Sequence, residues 1–217
     1  MNVAAFFDID GTLVSPPSLE RRFLRYLRWR GELRAQNYLS IAGALVAQIG
    51  GVVIHGEWDG LECTLARNKA YLAGVRCSVM EAWVGWMMRN PMPLLPETLQ
   101  QIGRHAQQGH AVILLSGTLR PLAEGVARLL PAAVRVCATE LESAAGRWTG
   151  RVHGEAVCGP GKTLVMERLA AEHALDLARS YAYGDSYADR WMLARVGHPV
   201  VIARNASASW RLLRLAQ

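Results

Sequence analysis

Residues 3–12 read VAAFFDIDGT. An apolar run, Val3 to Phe7, leads into two carboxylates, Asp8 and Asp10, separated by Ile9, and Gly11-Thr12 stops it. The run has the character of a buried strand, and in an extended chain alternate side chains share a face. Asp8 and Asp10 therefore point the same way and repel, by about 4 kcal/mol at a separation near 4 Å and an effective dielectric near 20. A hard divalent cation with oxygen ligands is the usual partner that offsets such a pair.

Working outward, residues 18–90 read as successive helices: SLERRFLRYLRWRGEL, the uncharged stretch from Ala35 to Ile54, LECTLARNKAYLAG, and VMEAWVGWMMRN. The uncharged stretch has about the length of a membrane span. It contains Gln36, Asn37, Gln48 and Gly50-Gly51, so it reads as a buried helix ending at the glycines. The prolines of NPMPLLPET close this block and open a helix near Glu97. Strand-like and helical runs then alternate: HAVILLSG, a helix at Ala123–Leu130, VRVCATELE, a hairpin in GRWTGRVHGE, a helix after GPGKT, SYAYGD, a helix from Asp189 to Val196, and HPVVIAR. Alternation of this kind predicts an α/β class, a Rossmann-like, doubly wound, mainly parallel sheet with an all-helical insertion after its first strand. The expected division is 1–14 with 92–217 as the core and 15–91 as the insertion.

Ligands in such sheets sit outside the carboxyl ends of the strands. Three strand-like runs end in polar residues there: Asp8 with Asp10, Ser116-Gly117-Thr118, and Gly184-Asp185-Ser186 with Asp189. Taken singly each has a plainer explanation, as a turn or helix cap. GPGKT looks like part of a phosphate-binding loop, yet the first glycine of that pattern would fall at Ala156 and no strand feeds it. Of the six histidines none has metal-ligand spacing.

Taken together, DIDGT at 8–12, LLSGT at 114–118, Lys162 in GPGKT and GDSYAD at 184–189 resemble, in order, the four motifs of haloacid dehalogenase superfamily phosphatases, in the subgroup similar to phosphoserine phosphatases. The resemblance implies a Mg²⁺-dependent phosphomonoester hydrolase. It makes Asp8 the nucleophile and Asp10 the general acid and base. Asp8, Asp185 and the main-chain carbonyl of Asp10 would hold Mg²⁺, with Asp189 supporting it through water. Ser116 and the Gly117 N–H would donate to the phosphoryl oxygens, and Lys162 would neutralise charge in the transition state. A phosphotransferase using the same intermediate, and a phospho-accepting signalling module, are the alternatives. The acid–base function of Asp10 speaks against the second.

In the family the inserted helices form a cap that selects substrate. The phosphoserine enzymes carry a glutamate seven residues after the second aspartate; here that residue is Pro17, which argues against phosphoserine. Glu20 stands nearby, and Arg67 is the candidate cap arginine. Arg21, Arg22, Arg25, Arg28, Arg30 and Arg34 crowd one segment. They suit a small-molecule or lipid phosphate and peripheral contact with an anionic membrane, or else form a solvated face whose stems cover core residues.

The remaining bounds are broad. A chain of 217 residues with 51% hydrophobic content supports a full core. Lys plus Arg number 24 against 18 Asp plus Glu, which favours an anionic partner, and no nucleic acid is expected. Cys63, Cys77, Cys137 and Cys158 form no CxxC pair and fit reduced thiols. Without a basic leader and apolar h-region, a cytoplasmic location is expected.

Overall fold

The computed structural model describes residues 2–43, 46 and 67–202. Its elements are β1 (Ala4–Phe7), α1 (Leu19–Trp29), α2 (Cys77–Arg89), α3 (Pro96–Gln107), β2 (Ala111–Leu119), α4 (Arg120–Ala127), β3 (Arg135–Ala144), β4 (Arg147–His153), α5 (Pro160–His173), β5 (Tyr181–Gly184), α6 (Arg190–Leu193) and β6 (His198–Val201). The strands form one sheet in the order β4-β3-β2-β1-β5-β6. All pairings are parallel except β3 with β4, which form an antiparallel hairpin.

The sequence of β1 explains its central place. All four residues are fully buried, and their alternation sends Ala5 and Phe7 to one face and Ala4 and Phe6 to the other. Phe7 packs with α1, α2, α3 and α4 residues such as Phe23, Trp83, Ile102 and Leu122. Phe6 packs with Met166 and Leu169 of α5 and Met192 of α6. Each phenylalanine contributes about 1.5–3 kcal/mol by leaving water. The result is a layer of helices on each side of a sheet that is buried on both faces.

The segment between β1 and α3 departs from expectation in two ways. Residues 35–43 are helical, but of these only Asn37 is buried; the rest of the uncharged stretch, apart from Val46, lies outside the described residues. The helix expected through LECTLARNKAYLAG is, where described, mainly a 3₁₀ turn over Ala70–Leu72. No helix among the described residues is long and apolar enough to cross a membrane. Cys77 and Cys137 are free thiols.

The β3–β4 hairpin is stitched to the root of this segment. Gly74 N donates to Trp148 O at 2.8 Å, Trp148 N to Val75 O at 2.9 Å and Cys77 N to Gly146 O at 2.9 Å. Arg147 Nη1 adds a bond to Gly74 O at 2.7 Å.

His105 on α3 is structural. It is 4% exposed, with Nδ1 2.8 Å from His110 Nδ1 and Nε2 2.8 Å from the Tyr183 hydroxyl. Burial, then the neighbouring His110, lowers its pKa from 6.5 to about 4. The folded state thus holds His105 neutral where the unfolded chain would protonate it. Its contribution is full above pH 6.5 and is lost as pH falls from there toward 4, amounting to at most about 3 kcal/mol. Urea melts of the wild type and His105→Gln across that window should converge as the pH drops; parallel curves would contradict this account.

Candidate active site

The winding of the sheet reverses between β1 and β5, and a cavity of about 410 Å³ opens there. Asp8, Asp10, Ser116, Gly117, Lys162, Asp185 and Asp189 all line it, together with Glu20, Arg21, Leu24, Ile41 and Tyr71 from the insertion. The three strand ends and the lysine therefore meet as expected. Arg67 is exposed and is not among the lining residues.

Asp8 follows β1 directly, and its N–H still bonds Tyr183 O at 2.9 Å, so its backbone is held by the sheet. Its carboxylate is buried and accepts from Lys162 Nζ at 2.6 Å. The same ammonium donates to Asp189 Oδ1 at 2.5 Å. Lys162 lies in the first turn of α5, which opens with Gly159 as cap and Pro160 behind it; the preceding strand, β4, ends at His153. That strand is the antiparallel edge of the sheet and Ala156 stands where a phosphate loop needs its first glycine, so GPGKT does not form one. Burial pushes the Asp8 carboxyl well above its ordinary range against the pull of Lys162, with Asp189 and Asp185 adding to the rise. Burial works against the charge on Lys162, but Asp189 and Asp8 prevail and hold its pKa above the usual value.

Carboxylate oxygens of Asp8, Asp185 and Asp189 lie within 4.8 Å of one another, a hard-donor set that fits Mg²⁺. Backbone shape makes the set. Gly11 has φ +100°, and a Cβ there would meet Asp185 Oδ2 at 2.1 Å. A Cβ on Gly184 would meet Asp189 Cβ at 2.5 Å. Asp189 is already heavily engaged: beyond Lys162, its Oδ2 accepts from Asp185 N, Ser186 N and Ser186 Oγ at 3.2, 3.0 and 2.8 Å. These bonds tie Asp189 both to Lys162 and to the Asp185 loop. Asp10 is less buried than Asp8, and its Oδ1 accepts from Leu19 N at 2.7 Å, at the start of α1. The amide end of a helix favours a carboxylate.

On β2 the pairing with β3 slips between Ser116 and Leu119, so Gly117 and Thr118 bulge from the ladder toward the cavity. Bulges commonly re-aim groups beside active sites. Thr118 Oγ1 is buried without a hydrogen-bond partner among the described residues, which makes it a donor waiting for an oxygen. Sequence reading treated Thr118 as part of a turn. Thr12, in the turn after Asp10, donates from Oγ1 to Asp185 Oδ1 at 3.2 Å. Lys69 and Tyr71 were also missed: Lys69 Nζ is hydrogen-bonded to Glu20 Oε1, and the Tyr71 hydroxyl donates to Glu20 Oε2 at 2.5 Å. No local pattern links Glu20 to partners so far along the chain.

The family model described as haloacid dehalogenase-like hydrolase matches residues 5–194. Phosphoserine phosphatase SerB1 of Mycobacterium tuberculosis (strain ATCC 25618 / H37Rv) is 30% identical over 211 residues, covering 95% of this chain and 66% of that protein. The chain thus spans slightly less than two thirds of that relative's length. A protein of unknown function from Bordetella pertussis Tohama I superimposes with a TM-score of 0.74 at 22% identity, covering 98% of this chain and 95% of the other. A substrate-bound phosphoserine phosphatase complex superimposes at 0.66 and 18% identity, covering 97% and 90%. At these identities the structures speak for the fold.

Proposed function

The chain belongs to the haloacid dehalogenase-like hydrolases, and from that membership we propose that it hydrolyses a phosphate monoester through an aspartyl-phosphate on Asp8. The observation that carries this reading is the buried Asp8 carboxylate, held by Lys162 at 2.6 Å beside Asp185 in an open cavity. An Asp8 oxygen attacks phosphorus as the ester P–O bond breaks, and Asp10 gives its proton to the departing alkoxide. Asp10 then takes a proton from water, whose oxygen attacks phosphorus and releases phosphate from Asp8. Ser116, the Gly117 N–H and Thr118 donate to the phosphoryl oxygens, and Lys162 balances the charge gathered there. Asp8, Asp185 and the Asp10 carbonyl would hold Mg²⁺, which when bound supplies charge neutralisation and orients the phosphate.

Residues 15–91 serve in this proposal as the substrate-selecting cap, because α1 and Tyr71 supply the cavity wall facing the aspartates. The arginines of α1 divide by role. Arg22 donates to the carbonyls of Pro17 and Ser15 at 2.8 and 2.9 Å and so braces the loop before the helix. Arg21, Arg25 and Arg28, with Arg30 just past the helix end, are exposed and are available to an anionic substrate or surface.

The test is Asp10→Asn with p-nitrophenyl phosphate, whose leaving group needs no proton. The expected result is a burst of about one p-nitrophenolate per enzyme followed by stalled turnover, with a phosphoryl adduct on Asp8 by mass spectrometry. Rapid multiple turnover would remove Asp10 from the base role.

A further inference from the structure

Glu20 supplies the one carboxylate on the cavity wall contributed by the described part of the insertion. It is already engaged. Lys69 Nζ, on a side chain with no exposure, pairs with one oxygen, and the Tyr71 hydroxyl donates to the other. Lys69 is not among the lining residues, so the protein reaches Glu20 with an ammonium of its own that solvent does not touch. A buried ammonium stays charged only while paired, so this contact is not one that an incoming cation can readily displace.

We infer that Lys69 acts as a built-in counter-ion that closes the Glu20 subsite to substrates bearing an ammonium group, and that the physiological substrate is the phosphate ester of a body without one. A substrate ammonium arriving at Glu20 meets a second cation at close range and a carboxylate whose charge is spent. The rest of the wall agrees: Pro16, Pro17, Leu24 and Ile41 are apolar, and Arg21 adds a further positive charge. A neutral or anionic, partly apolar body is complementary to such a surface. Lys69 is thus a positioning residue for specificity, acting through Glu20 and touching no reacting atom. The inference rests on the hydrolase reading above and narrows its substrate class.

The test uses two esters matched in shape, O-phosphoethanolamine and n-propyl phosphate, which differ in ammonium against methyl. In the wild type with Mg²⁺, kcat/KM should favour propyl phosphate about tenfold or more. Lys69→Met, and Lys69→Gln as the more conservative variant, uncover the Glu20 charge and should move that ratio toward phosphoethanolamine about tenfold or more. Lys69→Met combined with Glu20→Gln should return it to the wild-type value. A wild-type enzyme that hydrolyses phosphoethanolamine as well as propyl phosphate overturns the inference, and does so even if neither variant folds. So does a ratio unmoved in folded Lys69 variants, which would leave the pair a structural staple. Failure of the wild type to hydrolyse these esters and p-nitrophenyl phosphate alike would instead overturn the hydrolase reading itself.

Discussion

Asp8→Asn is expected to lower turnover of p-nitrophenyl phosphate by at least about 10³-fold, while leaving the fold intact. The amide cannot attack phosphorus, and it removes one of the three carboxylates in the candidate metal set. Stability should survive for an electrostatic reason. Asp8 and Asp189 share one lysine, and burial, with Asp189 and Asp185 nearby, already disfavours the charged form of Asp8. Substituting a neutral group of the same shape relieves repulsion, and Lys162 keeps Asp189 as its partner at 2.5 Å. Thermal melts beside steady-state rates check both halves. Near wild-type turnover would refute the covalent mechanism, and a collapsed melt would refute the charge argument.

Lys162→Met should damage both properties. It leaves Asp8 and Asp189, both at least nine-tenths buried, facing each other without their shared cation. Breaking a buried pair by removing one partner costs about 3–5 kcal/mol, and losing a donor aimed at developing charge costs about 10²–10³ in turnover. The two effects separate experimentally. Added Mg²⁺ should raise the melting temperature of this variant more than that of the wild type, because a cation partly replaces the missing charge. Turnover should stay low even where stability recovers. A variant as stable and as active as the wild type would remove Lys162 from the centre of the site.

The catalytic half of the molecule was legible in sequence because its signals are local. An apolar run that ends in Asp8 and Asp10, the Ser116-Gly117-Thr118 turn and the Gly184–Asp189 loop each sit at the end of a strand, and a parallel sheet brings such ends together. The insertion was less legible, for reasons of range. Lys69 and Glu20 are 49 residues apart, and nothing near either one announces the pair. Burial in residues 35–43 was overestimated because absence of charge was taken for a buried face; Leu39 is 73% exposed. Thr118 was placed at the crevice but its hydroxyl was given no role, because a bulge, which no composition signals, decides whether that hydroxyl faces the ladder or the cavity.

The stitching of the hairpin to residues 74–77 bears on how many energetic parts the chain has. Leu19, Phe23 and Leu27 of α1 and Trp83 and Met87 of α2 belong to the same apolar cluster as Ala5 and Phe7. The expected division at residues 15 and 91 thus runs through one shared apolar cluster. Sheet and insertion are expected to unfold in one cooperative transition, and a fragment cut at that boundary would expose the surface shared by both halves.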